Sequence, residues 1–298
     1  MRGLTMAVAG LLLTAAALHH QASAGTLCSG YGPQTPRDIG GKEGSNPRTF
    51  TFAPPPETMN LCNIHFHLNA EHKGPGFSVP AGAGEHGGFR CNQTEQLTPA
   101  QREDASHGHG ACHGVKPGDT IEVHWVYSSC GARPGKGLGA CLSEQCSNPQ
   151  LRVESQVFLV ANDAAAADFE SFAYGGHMVN GVHQPRALPT TTGDPVVFLG
   201  STTGPKFTEE TCSPMQVTWS VRPECALVNV ASLNHWCEKN VFEEDHAHAV
   251  IARQVTHQPE ELFGLGVAQR GRGLVEDQEA GVAGQRGEAL PVAGIGQP

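Results

Sequence analysis

The sequence predicts a mainly β (α+β) fold. The expected architecture is a single domain on a large twisted, mostly antiparallel sheet, with few short helices and long disulfide-stapled loops. Three observations carry this expectation. Short strand-like runs recur at 59–68, 120–128, 151–161, 194–199 and 215–221, and the clearest of them alternate with the two-residue period of an extended chain. Long stretches rich in glycine, proline and histidine separate them, with no helical period. Ten cysteines, an even number, all follow a segment that reads as an export signal, a pattern that favours structural disulfides over free thiols.

Taken in order, residues 1–24 carry Arg2, an apolar run over 6–18 and Ala22-Ser23-Ala24. A charged start, a short apolar stretch and a small-residue cleavage site make a secretory signal peptide, too short for a comfortable membrane span. The mature protein is therefore expected to be secreted or periplasmic. Residues 25–60 read as an irregular surface arm, and the strand at 59–68 follows. The stretch 73–118 is a long loop of the kind that is functional or stapled, with Cys91 and Cys112 as staples. Pro117-Gly118-Asp119 is a turn that launches the strand at 120–128. A second loop spans 130–149, where Cys141 and Cys146 could close a short ring. A strand at 151–161 and a short helix at 163–173 come next. The strands at 194–199 and 215–221 flank a loop over 200–211, and 240–256 stays open between helix and strand. From 264 the apolar pattern disappears, so 25–263 is read as the folded domain and 264–298 as a disordered tail.

Nineteen basic residues against 29 acidic ones give a formal charge of −10. That balance opposes nucleic acid and anionic lipid as partners, because both require a basic footprint. A folded part of about 240 residues can bury one sizeable core. No internal repeat is present, and the oligomeric state is not legible.

The chemistry concentrates in two segments. In Asn63-Ile-His-Phe-His67, extended geometry places Asn63, His65 and His67 on one face. In Ile121-Glu-Val-His-Trp125 it places Glu122, His124 and Val126 together, with Val123, Trp125 and Tyr127 opposite. Two neighbouring strands could thus offer three imidazoles to one metal ion, with Asn63 and Glu122 placed to orient rings through their second nitrogens. Three neutral nitrogen donors and one open position suit catalytic zinc, which then makes hydroxide near neutral pH for attack on a small electrophile.

These residues resemble a known family. Asn63-Ile-His-Phe-His67, Ala70-Glu71-His72 and Glu122-Val-His-Trp125 are similar to the α-class carbonic anhydrase series Gln-Phe-His-Phe-His, Ser-Glu-His and Glu-Leu-His. The surrounding wording, CNIHFHLNAEHKG and IEVHWVYSSC, resembles the δ-class carbonic anhydrases more closely, over most of residues 50–260. The resemblance implies an α-class-like fold and reversible hydration of carbon dioxide to bicarbonate by a zinc-bound hydroxide. It implies zinc ligands His65, His67 and His124, oriented by Asn63 and Glu122. Glu71 matches a buried glutamate that works with a threonine on the hydroxide. Gly200-Ser-Thr-Thr-Gly204 makes Thr202 or Thr203 that threonine. Val126, Val153, Val217 and Trp219 would wall the carbon dioxide pocket. No residue matches the rim histidine that exports protons in the α-class, which leaves His72, His107, His109 and His113 as candidates.

Two other readings use the same residues. A copper–zinc superoxide dismutase-like enzyme shares the H-x-H strand and a Gly/His-rich loop, but Glu-x-His has no role there. A non-catalytic exported metal-binding protein would use the accessory clusters His107–His113 and His246–His248. Beside these, Asn92-Gln-Thr94 forms a glycosylation sequon and His235-Trp236 reads as core packing.

Overall fold

The computed structural model describes residues 37–40, 49–82, 87–201 and 215–245. The signal segment, Thr202, Thr203, His246, His248, Cys28, Cys212 and the expected tail lie outside the described residues. At the centre stands a five-stranded sheet built from β1 (Asn60–Leu68), β2 (Thr120–Ser128), β3 (Leu151–Ala161), β4 (Val196–Ser201) and β5 (Gln216–Asn229). Its order is β4-β5-β3-β2-β1. Every neighbouring pair is antiparallel except β5 with β3, so the sheet is mixed but mainly antiparallel, as the alternating runs implied.

Each face of the sheet buries its own core. Leu61, Ile64, Phe66, Val123, Trp125, Tyr127 and Phe158 pack on one side against Phe169, Leu233, Trp236 and Phe242. Cys62, Val126, Val153, Val157, Phe198, Val217, Trp219 and Val221 pack on the other, together with Phe77 and Ile39. Interior strand β2 is buried along its whole length, which explains why its residues are apolar or hydrogen-bonded on both faces.

Several expectations need correction. The strand expected at 215–221 continues to Asn229, with a register break between Val221 and Cys225. Pro223 sits in that break, where a residue without a backbone N–H can be accommodated. Beyond it, α2 (Val230–Lys239) follows directly, in a stretch where the sequence reading assigned no helix. Asn229 caps it by accepting from the Ala231 N–H at 2.7 Å, and Leu233, Trp236 and Cys237 are buried. Trp236 is thus core, whereas His235 is exposed. The helix expected at 163–173 shrinks to one 3-10 turn, Phe169–Phe172. Asp163 Oδ1 accepts from Ala165 N–H and Asp168 Oδ1 from Glu170 N–H, local bonds that compete with a regular helix. A single helical turn, α1 (Pro99–Arg102), starts from a Thr98/Gln101 capping box in the long loop.

The loops are stapled, though not as the spacing suggested. Cys141 pairs with Cys62 and Cys146 with Cys130, so the short Cys141–Cys146 ring does not form. Cys91 joins β5 at Cys225, and Cys112 joins α2 at Cys237. These pairings follow the sheet, which brings distant Cα atoms within bonding range irrespective of sequence spacing. Among the described residues no helix is long and apolar enough to cross a membrane.

Candidate metal centre

Register builds the centre. Antiparallel pairing of β1 with β2 sets His65 opposite His124, His67 opposite Glu122 and Asn63 opposite Val126, all on one face. The three imidazoles form a near-equilateral cluster, with ring centroids 5.2 Å apart for His65–His67, 5.0 Å for His65–His124 and 4.9 Å for His67–His124. One nitrogen from each lies within 4.8 Å of the others. His67 and His124 are buried, and His65 is half-buried.

The outward nitrogens decide what the inward ones can do. Asn63 Nδ2 donates to the Gly135 carbonyl at 3.1 Å, so its Oδ1 must face His65, where it accepts from Nδ1–H at 2.6 Å. His124 Nε2–H donates to Glu122 Oε1 at 3.1 Å. Both rings then present lone pairs inward, and His65 Nε2 faces His124 Nδ1 at 3.2 Å. Two lone pairs at that distance repel unless a cation lies against both. Nitrogens each 2.0–2.1 Å from one tetrahedral ion stand roughly 3.3 Å apart, so the donor set fits a transition-metal ion.

Glu122 is completely buried and densely engaged. Its Oε1 accepts from His124, from His72 Nδ1–H at 2.6 Å and from the Ser155 hydroxyl. Its Oε2 accepts from the backbone N–H groups of Glu71 and His72 at 2.5 and 3.2 Å. Burial alone would raise its pKa. Attraction to His72 and the hydrogen bonds from His124 and His72 outweigh it and hold the carboxyl well below the ordinary carboxylate range. Glu71 shows the opposite balance. Burial first, and then repulsion from Glu122, push it well above that range. Its oxygens lie 3.6 Å from His67 Nδ1 and 3.9 Å from His124 Nε2, so a divalent ion at the imidazoles would pull it back down.

A cavity of about 50 Å³ opens onto the imidazoles and is lined by His65, His67, Glu71, His124, Val126, Leu138, Leu151, Val153, Val217 and Trp219. A water needs roughly 10–15 Å³ on that measure, so the space suits a few waters or one very small solute. Val126, Val153, Val217 and Trp219 meet there although they come from three strands, because Val126 pairs with Val153 and Val153 with Trp219.

The sequence reading passed over several residues of this centre. Leu151 and Ser155 share the face of Val153 by simple alternation, a signal available in the sequence. Leu138 and Gly135 come from a loop with no periodicity, and nothing in the sequence announced them. His72 is not at the rim. It is fully buried against Glu122, too enclosed to carry protons to solvent. His107, His109 and His113 are exposed and do not line the cavity. A second metal-capable group, His72 with Glu122 and His124, shares a carboxylate already saturated with donors, and neither His72 nor Glu122 lines the cavity.

Searches among curated proteins and solved structures gave no match. A family model described as Delta carbonic anhydrase matches residues 56–232, a span that runs from just before β1 into α2 and takes in every described residue of the centre. The chain therefore belongs to the delta carbonic anhydrases: it is a lyase and a metalloenzyme whose substrates are carbon dioxide and bicarbonate.

Proposed function

We propose that the metal is zinc, held by His65, His67 and His124, and that the enzyme works on carbon dioxide through hydroxide generated there. The observation that supports this most directly is the 3.2 Å approach of His65 Nε2 to His124 Nδ1 in rings whose other nitrogens meet Asn63 and Glu122. Three neutral imidazoles leave the ion its full charge, so bound zinc supplies a water acidic near pH 7.

The chain's own residues do the rest. Asn63 and Glu122 hold the two rings in the tautomers that present lone pairs. Val126, Leu151, Val153 and Val217 offer carbon dioxide a surface without hydrogen-bonding groups. That wall holds a nonpolar solute by dispersion and gives the charged product no compensation for lost water, which favours release. Glu71, beside His67 and His124, is assigned to orient the attacking oxygen together with Thr202 or Thr203. The proton passes to buffer. The four disulfides among the described residues suit an oxidising compartment, consistent with export by residues 1–24, with 25–263 as the catalytic domain and 264–298 as its tail.

A metal count on purified protein, paired with stopped-flow carbon dioxide hydration, tests the reading. One zinc per chain with hydration that disappears in His124→Ala is the expected result. Copper with superoxide turnover, or several weak metal sites without hydration, would reject it.

A further inference from the structure

The loop between β2 and β3 contributes to the centre in a way the family match does not specify. Around Cys62 the β1–β2 register slips, so that Leu61 pairs with Tyr127 and Asn63 with Val126. Such a bulge re-aims side chains. Leu61 remains in the core of the far face, while Cys62 joins the core of the metal face and its neighbour Asn63 pairs on that same face. Both then engage one loop. Cys62 is bonded to Cys141, and its carbonyl accepts from Gly135 N–H at 3.1 Å. Asn63 Nδ2 donates to the Gly135 carbonyl at 3.1 Å. Three residues further on, Leu138 lines the cavity and opens the 3-10 turn that ends at Cys141.

We propose that the Cys62–Cys141 disulfide and the Gly135 peptide are positioning groups for the metal centre, acting through Asn63 on His65. This positioning role rests on His65 being a metal ligand. An asparagine has two nearly isosteric ends, and only the oxygen suits His65 Nδ1–H. The Gly135 carbonyl accepts the amide end and so selects the orientation that keeps the His65 lone pair pointing inward. Gly135 has no side chain to hold it, so its place is set by Pro134, by the Cys62 carbonyl and by the staple six residues later. Cys130–Cys146 still ties the ends of the loop, but without the Cys62–Cys141 staple Gly135 loses its covalent anchor to β1, the asparagine can turn, and His65 loses its tautomer.

The test is a double-mutant cycle on the full chain, with zinc affinity read by competition against a chromophoric chelator. Cys62→Ala/Cys141→Ala should weaken zinc by about 10-fold, the lower end of outer-shell effects. The same pair of substitutions in an Asn63→Ala background should cost nothing more, because the route runs through Asn63. Cys112→Ala/Cys237→Ala, a staple on the opposite core, should lower Tm yet leave zinc affinity unchanged. Equal losses with and without Asn63, or an equal loss in that control, would overturn the proposal. Should the stapleless variant fail to fold, Ser128→Ala decides by the same cycle. It removes the hydroxyl that donates to the Cys141 carbonyl at 2.7 Å and accepts from Cys130 N–H at 3.1 Å, and it spares both disulfides. Wild-type zinc affinity in His65→Ala would overturn the ligand assignment itself and this inference with it, a result distinct from simple additivity.

Discussion

Glu122 is the side chain on which most of the centre's order converges, since five donors from Glu71, His72, His124 and Ser155 end on its two oxygens. Removing it exposes two separate consequences. His124 loses the acceptor that fixes its tautomer, and zinc affinity in Glu122→Ala should drop by roughly 10–100-fold. His72, with no exposure and its Nε2 already unpartnered, loses the other half of a buried pair. Leaving its buried Nδ1–H without an acceptor costs about 1–3 kcal/mol, so the zinc-free variant should also melt below wild type. Chelator competition and a melting curve separate the two effects. An unchanged affinity would mean that His124 needs no orienting partner.

Strand pairing turns three isolated motifs into one wall. Trp219 on β5 pairs with Val153 on β3, and Val153 pairs with Val126 on β2, so the apolar side of the cavity is a row across the sheet. Its width is set by the side chains in that row together with Leu138 from the β2–β3 loop. Val126→Phe places a ring in a space of about 50 Å³ and leaves the three imidazoles themselves unsubstituted. Zinc should still bind with near wild-type affinity, while kcat/KM for hydration falls on the order of 100-fold, as expected when a reactant is displaced by about 1 Å. Loss of zinc together with rate would show that the wall and the ligands are not separable.

The balance of buried charge reaches the stability of the entire molecule. Glu122 has a lowered folded pKa. Its contribution is therefore present above the ordinary value of 4.5 and is lost as pH falls below it. Glu71 has a raised one, so in the zinc-free protein stability declines as pH rises above 4.5, because the folded state must keep a proton that the unfolded chain releases. Zinc-free Glu71→Gln should accordingly have a higher Tm than wild type at pH 7, a gain that vanishes as pH approaches 4. Melting curves across that range check the sign. A variant less stable than wild type at pH 7 would show that the Glu71 carboxylate is compensated without metal.

Much of the centre was legible because strands obey a strict period: alternation alone put His65 with His67 and Glu122 with His124, and the motif order pointed to the family. Helix α2 was missed although its signals were local, since Val230, Leu233, Trp236 and Cys237 recur at helical spacing behind the Asn229 cap. The sequence by itself determined which residues share a face and which chemistry they suit, since side-chain direction in a strand is a local property. Only the tertiary structure decided the disulfide pairs, the burial of His72, the hydroxyl of Ser155 on Glu122 and the Gly135 carbonyl behind Asn63. Each of these depends on register and loop closure between segments far apart in the chain, and no short-range rule encodes such distances.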